Sequence, residues 1–351
     1  MIEPVQIETA TLGEGEKCFL IAELSANHDR DLDLALRLVD IAADAGWDCI
    51  KFQTYNADSL TVPSTHSSMK IDKVWGTDNL YDLYNSAGMP MEFHAPLFEK
   101  ARDRGLIPFT SIYDPRDLDF VEGLGCAVYK IASFEMTFDD LLIAVAGTGK
   151  PIIMSTGMAN LAEVDHAMEV LDKHGAGPVV LLHCVSSYPA PVEEVNLASM
   201  ATLRDRFGRH VGFSDHTIGP QVALTAAAMG AVAIEKHFTD DMTRPGPDHR
   251  FSATPDVLRE IADGVRLVHT AQGSPAKDTA AAEAGNRAAF RRSAFALRDL
   301  KAGERLTQAD YRFVRPNAGV PVSDAPALVD RVLARDVARH DPITYDDLAP
   351  R

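Results

Sequence analysis

Eight short apolar segments in strict alternation with amphipathic ones predict a (β/α)8, or TIM, barrel followed by a small, mostly-β domain. Polar side chains stand at the C-terminal ends of nearly all eight segments, where an open doubly wound sheet would gather them at one switch point. The alternation then breaks after Ala271, and shorter strand-and-turn text begins at Arg292.

The eight segments are Cys18–Leu24, Cys49–Gln53, Ile107–Ser111, Ala127–Ile131, Pro151–Ser155, Val179–His183, Val211–Asp215 and Ala233–His237. Each is apolar at most positions, as expected of strands buried on both faces. The first expected helix, Asp31 to Ala45, sets Leu32, Ala35, Leu36, Val39 and Ala42 on one face and stops at Gly46. A second, Leu161 to His174, has Asn160 as N-cap, Glu163 at the capping-box position and a stop at Gly175. Pro220 to Gly230 is a short helical run between the last two strands. Beyond Ala271, the Ala-rich stretch from Gln272 reads as a linker. The expected division is therefore barrel 1–271, linker 272–291 and small domain 292–351. A unit of about sixty residues is marginal alone and leans on a partner surface.

Composition narrows the class of function. With 46% hydrophobic and 24% charged residues the chain is globular, and a net charge of −17 argues against nucleic acid or an anionic membrane as partner. No apolar run approaches a membrane span, and Met1-Ile-Glu-Pro does not open like a secretory signal. The four cysteines, Cys18, Cys49, Cys126 and Cys184, are scattered singly in apolar runs and read as reduced core thiols of a cytoplasmic enzyme.

The strongest chemical signal is His216 with His237, each at the C-terminal end of a strand. Strands joined through one helix lie parallel and adjacent, so the two imidazoles should meet at one rim. Alone, either histidine would more often bond loop backbone; together, near Asp215, Glu235 and Asp248, they suit an open divalent-metal site. Asp215 is expected to orient an imidazole. Lys51 and Lys130 lie within otherwise apolar strands, with Gln53, Ser133, Ser155 and Ser214 on the same rim. A buried ammonium needs a counter-charge, and an anionic substrate would supply it. Pro245-Gly-Pro-Asp248 fixes a rigid turn that would hold Asp248 near the metal.

At these residues the chain resembles the sialic acid (nonulosonic acid) synthases over nearly its whole length. The motifs are Ile21-Ala-Glu-Leu-Ser-Ala-Asn-His28, Ile50-Lys-Phe-Gln-Thr54, Tyr129-Lys-Ile-Ala-Ser-Phe-Glu135, Ser155-Thr-Gly-Met158, Ser214-Asp-His216, Glu235-Lys-His-Phe-Thr239 and Gly246-Pro-Asp248. The tail from Arg292, with Arg315-Pro-Asn-Ala-Gly319, resembles the SAF, or antifreeze-like, β-clip domain of those enzymes. The resemblance implies a transferase that condenses phosphoenolpyruvate with an open-chain N-acetylated amino sugar and releases phosphate by C–O cleavage. It implies His216 and His237 as ligands of a divalent metal, usually Mn2+. Lys51, Gln53, Lys130, Ser133, Ser155, Ser186 and Ser214 would hold phosphoenolpyruvate. Glu23, Glu135 and Asp248 would share proton handling and sugar contacts, with their individual roles open. A domain-swapped homodimer is implied, with Arg315 reaching the neighbour's site opposite Tyr188.

Tyr55-Asn-Ala-Asp-Ser-Leu-Thr61, Trp75, Leu80-Tyr-Asp-Leu-Tyr84, Pro90 and His94 resemble the pseudaminic acid branch, whose acceptor is 2,4-diacetamido-2,4,6-trideoxy-L-altrose. The segment Phe238 to Asp248 is nearer the N-acetylneuraminate and legionaminate enzymes, so those acceptors remain the alternative. Ser186 stands where the neuraminate type carries Asn. Two departures bear on the site: Asp29-Arg30 replaces a small residue and Gly, and Ile112-Tyr113-Asp114 replaces a Ser or Thr followed by Pro-Phe, leaving Thr110 or Ser111 to compensate. The rivals are a 3-deoxy-octulosonate or heptulosonate synthase, which the SAF-like tail disfavours, and a catalytically silent sugar-binding barrel.

Overall fold

The structure is a computed structural model that describes residues 2–71 and 77–350. It divides into two compact units, Met1–Gly273 and Ser274–Arg351. Trp75 lies outside the described residues.

The first unit opens with a hairpin absent from the sequence reading, β1 (Val5–Ile7) paired antiparallel with β2 (Ala10–Leu12). Eight parallel strands then close a barrel: β3 (Phe19–Glu23), β4 (Cys49–Thr54), β5 (Ile107–Ile112), β6 (Tyr129–Ile131), β7 (Ile152–Ser155), β8 (Val179–Cys184), β9 (His210–Asp215) and β10 (Ala233–His237). Every expected strand is present, with ends displaced by at most two residues. Closure comes from β10 lying on β3, with His237 opposite Glu23.

The helices are α1 (Leu32–Asp44), α2 (Ala57–Leu60), α3 (Leu80–Ala87), α4 (Met91–Asp103), α5 (Leu118–Gly123), α6 (Asp139–Ala146), α7 (Leu161–Lys173), α8 (Ser199–Phe207), α9 (Gln221–Ala228) and α10 (Pro255–Gln272). Asp31 caps α1 through Leu34 N–H, but its buried face is centred on Leu34 and Leu38, with Leu32 and Leu36 only half-buried. Asn160 and Glu163 form the expected capping box on α7. Strands β3 to β10 are buried on both faces, inside by each other's side chains and outside by the helices.

The second unit contains a short helix, α11 (Ala284–Phe290), within the stretch read as linker. It continues with an antiparallel pair, β11 (Ser293–Ala296) with β12 (Tyr311–Val314). Its own small core gathers Ala294, Ala296, Leu300, Leu306, Val320, Leu328, Leu333, Val337, Ile343 and Leu348. Among the described residues no helix is long and apolar enough to cross a membrane.

Candidate active site

A cavity of about 380 Å³ sits at the C-terminal ends of the barrel strands. Period-two alternation aims every second strand residue into it. Lys51 and Gln53 enter from β4, Lys130 from β6, Ser155 from β7, Cys184 from β8, Ser214 from β9, and Glu235 with His237 from β10. Ser133, Glu135, Ser186, Tyr188, His216 and Asp248 join them from the loops that follow. Of the barrel residues expected in the site, all meet at this cavity except Glu23. It lies directly beneath, fully buried, accepting from Gln53 Nε2 at 2.8 Å and pairing with Lys51 Nζ at 2.7 Å.

The cavity floor is a chain of buried charges. Lys51 also lies 3.4 Å from Glu235 and donates to Ser111 Oγ at 3.0 Å. Burial alone would depress this ammonium, but Glu23 and Glu235 outweigh it and hold its pKa above the ordinary lysine value. Lys130 is placed differently. It donates to Ser155 Oγ at 2.6 Å and to the Ile131 carbonyl at 3.2 Å, while its nearest carboxylate, Glu235, stands 3.9 Å away. Burial dominates, and its pKa falls below the ordinary lysine value. Glu235 stays ionised: burial would raise it, but Lys130, Lys51 and His216 pull it down. Glu23 and Glu135 go the other way, burial lifting each from 4.5 to about 7 against the pull of the lysines. Burial likewise raises Asp248, which accepts from Ser25 Oγ.

The two histidines meet as expected, with ring centroids 5.5 Å apart. His216 Nδ1 is 2.8 Å from the Val185 carbonyl. A carbonyl only accepts, so that nitrogen carries the proton and Nε2 keeps its lone pair. Tyr188 packs 4.4 Å from the His216 ring, and Phe251 packs 5.4 Å from the His237 ring. Burial among these rings holds His216 below the ordinary imidazole value, and burial with His216 and the lysines nearby holds His237 well below it. Both are therefore neutral at neutral pH. His237 Nδ1 is buried without a hydrogen-bond partner. Neutral imidazoles, one with its tautomer set by backbone and one with an orphaned nitrogen, fit a divalent cation. Among the described residues no cluster of three or more His, Cys, Asp or Glu is arranged to hold a metal.

Asp215 does not orient an imidazole. It points outward from the barrel, accepting from Thr217 N–H at 2.9 Å, Thr217 Oγ1 at 2.8 Å and Lys236 Nζ at 2.7 Å. The turn after His216 is held by this outward pair, while His216 itself answers to Val185. His183 also leaves the cavity, with Nε2 2.7 Å from the Val195 carbonyl. Of the two hydroxyls on β5, Ser111 is the inward one; Thr110 bonds Thr54 Oγ1 on the outer side at 2.8 Å. His94 joins that outer cluster, 2.9 Å from Thr54 Oγ1, and is no part of the cavity. Arg315 lies in the second unit, its guanidinium 5.6 Å from the Phe290 ring centroid.

The cavity also contains residues that sequence reasoning did not assign. Ser25 links Asp248 to Gln53, whose amide donates to Ser25 Oγ at 3.2 Å. Tyr55 and Tyr113 continue the inward alternation two residues beyond Gln53 and Ser111, a signal that was present in the spacing. Gly157 leaves room for its neighbours: a Cβ there would stand 2.3 Å from Ser186 Oγ and 2.7 Å from Cys184 Sγ and would push those side chains aside. Its bareness lets Ser186 reach Ser133, 2.8 Å away. The loop departure at Asp29-Arg30 is absorbed without glycine, both residues taking left-handed backbone at φ 48° and 54°. Each costs roughly 1 kcal/mol, offset by Arg30 N–H donating to His28 Nδ1 at 2.9 Å and by Asp29 Oδ1 bonding His249 Nε2 at 2.9 Å.

Comparison with known proteins identifies the family of both units. Residues 38–277 match the NeuB family model and residues 291–349 that of the SAF domain. The pseudaminic acid synthase of Helicobacter pylori is 35% identical over 330 residues, 94% of this chain and 97% of that protein. The N,N'-diacetyllegionaminic acid synthase of Campylobacter jejuni is 36% identical over 308 residues, 87% and 92% of the two chains. Among solved structures, the N-acetylneuraminic acid (sialic acid) synthetase of Leptospira borgpetersenii superposes with a TM-score of 0.73 at 31% identity, covering 82% of this chain and 95% of that one. Synthases of different sugar acids match about equally well, so overall identity does not separate their acceptors. With two thirds of its length in one family model and relatives 35% and 36% identical over most of it, the chain belongs to the NeuB family of nonulosonic acid synthases and carries a SAF domain.

Proposed function

We propose that the protein condenses phosphoenolpyruvate with the open-chain form of an N-acetylated amino sugar, giving a nine-carbon 2-keto acid and inorganic phosphate. The favoured acceptor is 2,4-diacetamido-2,4,6-trideoxy-L-altrose, giving pseudaminic acid; the N-acetylneuraminate and legionaminate reactions are the alternatives. The observation that carries the reading is Lys130, a 2%-exposed ammonium whose close partners are neutral oxygens. A buried cation so placed is costly unless an anion completes it. Phosphoenolpyruvate brings a phosphate and a carboxylate, and the neighbouring Ser133, Ser155, Ser186 and Ser214 hydroxyls offer it neutral donors.

Carbon–carbon bond formation needs a proton at the former aldehyde oxygen, and water addition at C2 of the enolpyruvyl unit must release one. Glu23 and Glu135, both lifted to about 7, can hold or yield a proton at neutral pH. Gln53 and Lys51 fix Glu23 from two sides, so its carboxyl presents a set direction. Ser25 does the same for Asp248. His216 and His237 would hold a divalent cation, proposed as Mn2+, which when bound supplies Lewis-acid polarisation of the acceptor carbonyl. The Tyr188 and Phe251 rings pack against that corner. A homodimer in which the SAF domain of one copy offers Arg315 to the acceptor in the other belongs to the same proposal, as does a cytoplasmic location.

The test is phosphate release from phosphoenolpyruvate with Mn2+, offering separately N-acetylmannosamine and the two 2,4-diacetamido-2,4,6-trideoxy sugars, of altro and manno configuration. Turnover with one of them, lost on chelation and restored by Mn2+, is expected. No turnover of any by folded, metal-loaded protein would overturn the synthase reading.

A further inference from the structure

The cation proposed for His216 and His237 would be held by two strand ends, and a closed polar cluster stands directly behind them. Lys236 on β10 and Asp215 on β9 are register partners, the last rung of the ladder that joins these strands. Each is the residue immediately before a histidine of the pair. Their side chains leave the barrel on its outer side, where Lys236 Nζ donates to Asp215 Oδ2 at 2.7 Å. A second bond from Nζ reaches the Thr217 carbonyl at 2.8 Å. The other carboxylate oxygen, Oδ1, accepts from Thr217 N–H at 2.9 Å and from its hydroxyl at 2.8 Å. His216 is thereby bracketed, since the residues on either side of it are bonded to the same ammonium.

The two histidines are otherwise supported unequally. His237 is still within the barrel, opposite Glu23 on β3, and the next backbone N–H, that of Phe238, donates to the Glu23 carbonyl at 3.2 Å. His216 lies one residue beyond the end of β9. Its own bonds run the other way, to the loop after β8. Nδ1 donates to the Val185 carbonyl at 2.8 Å, and the His216 carbonyl accepts from Ala190 N–H at 3.0 Å. Of these bonds, those of Lys236 tie the His216 turn back to β10. The energetics point the same way. Lys236 and Asp215 are 2% and 1% exposed. A buried ion pair repays its desolvation poorly, and apolar side chains of similar volume often stabilise a fold as well or better. What the charges supply is direction: four bonds fix the separation of two strand ends. A binding constellation has to be held within about 0.5 Å of its productive geometry.

We infer that Lys236, Asp215 and Thr217 form a positioning cluster that sets the spacing of His216 and His237 from the outer side of the barrel wall, and that divalent-cation affinity depends on it. This rests on the metal assignment proposed above. None of the three lines the cavity, so they act through the backbone of β9 and β10.

The test is an Mn2+ titration of the full-length protein, followed by the EPR signal of free Mn2+, so that binding is read without turnover. Phosphoenolpyruvate affinity of the metal-free protein is measured beside it by calorimetry. The first variant is the double change Asp215→Asn with Lys236→Met, which strands no buried charge. The second is Thr217→Val, and the third Leu171→Ala, a core truncation on α7 at a residue that does not line the cavity. The double variant should bind Mn2+ about 10- to 100-fold more weakly, the usual cost of losing support behind a metal ligand. Thr217→Val, which removes one hydrogen bond of the cluster, should cost about three-fold. Leu171→Ala should lower the melting temperature yet keep Mn2+ affinity within about two-fold, as a distant site does. Phosphoenolpyruvate affinity should stay within about two-fold in all three. Unaltered Mn2+ affinity in the double variant, or in Thr217→Val should the double variant not fold, would overturn the inference. So would a matching loss in Leu171→Ala, or an equal loss of phosphoenolpyruvate affinity, since either would make the effect general to the fold. Wild type that binds no Mn2+ would instead fail the metal assignment, and this inference with it.

Discussion

Glu135→Gln should make the protein more stable at pH 8 than at pH 5, relative to wild type, while removing its activity. Glu135 is 8% exposed, and its Oε2 is buried without a hydrogen-bond partner. Burial lifts its pKa from 4.5 to about 7, with Lys130 and Lys51 only partly opposing. Below about pH 4.5 both folded and unfolded chains hold the proton, and the group contributes no difference. Between 4.5 and 7 the unfolded chain ionises while the folded one keeps its proton, so stability falls as pH rises. Above 7 both are ionised, and the folded state carries the full penalty of a shift from 4.5 to about 7, which at about 1.4 kcal/mol per unit is roughly 3 kcal/mol. Gln cannot ionise and escapes this. Its amide adds a constant cost of about 1–3 kcal/mol if left unsatisfied, so the informative quantity is the change of the gap with pH. Urea midpoints of wild type and variant, compared at matched pH from about 4.5 to about 8.5, should separate steadily in the variant's favour. A gap independent of pH, or one that closes as pH rises, would refute the assignment of a raised pKa to Glu135.

Gly157→Ala should raise KM for phosphoenolpyruvate about ten-fold with acceptor KM unchanged, because the new Cβ would displace Ser186 from Ser133. Steady-state kinetics with an unaltered thermal melt would establish it, and an unchanged phosphoenolpyruvate KM would refute it. Lys236→Met should destabilise the fold by about 3–5 kcal/mol by stranding the buried Asp215 carboxylate. The double variant Lys236→Met with Asp215→Asn should recover much of that loss; thermal melting that shows the single variant no worse than the double would exclude the pairing as the cause.

The barrel was legible because buried parallel strands write themselves as uninterrupted apolar runs, and the inward set followed from counting by twos from Lys51, Lys130, Ser214 and His237. What alternation could not supply was the partner of each outward polar residue. Asp215 and His216 are adjacent in sequence but face opposite sides of the barrel wall, so nearness along the chain suggested a contact that the pleat forbids. The face of α1 was misjudged by part of a turn for a related reason. Leucines occur at Leu32, Leu34, Leu36 and Leu38, which satisfies two overlapping helical stripes, and only the packed barrel selects Leu34 and Leu38. The α3 segment was legible only as the motif Leu80 to Tyr84, not as a helix lining the cavity. Its helix buries nothing fully, so it has no strong stripe, and Arg30, which bonds the Asn85 and Gly88 carbonyls at its end, lies about fifty positions earlier with a left-handed backbone that reads as a glycine site.

Strand β10 shows how one short segment serves both sides of the wall. Its five residues, Ala233–His237, are all buried, yet three consecutive ones, Glu235, Lys236 and His237, are titratable. In a flat solvent-exposed strand such a run would be ordinary. Here each group needs its own answer to desolvation. Alternation sends Glu235 inward to lysines on β4 and β6, and Lys236 outward to Asp215 on β9. His237 goes inward and avoids the cost by staying neutral. The outward pair is closed: Lys236 bonds Asp215 and the Thr217 carbonyl, and Asp215 bonds Thr217 twice. The inward set is left partly open: Lys51 meets Glu23 Oε2, while Glu235 Oε2 and His237 Nδ1 lack hydrogen-bond partners. A fold that completes every polar contact on one face of a strand can do so on the other. On β10 the contacts left unmet, at Glu235 and His237, are on the face turned toward the cavity, as suits a site whose remaining contacts are made by what binds there.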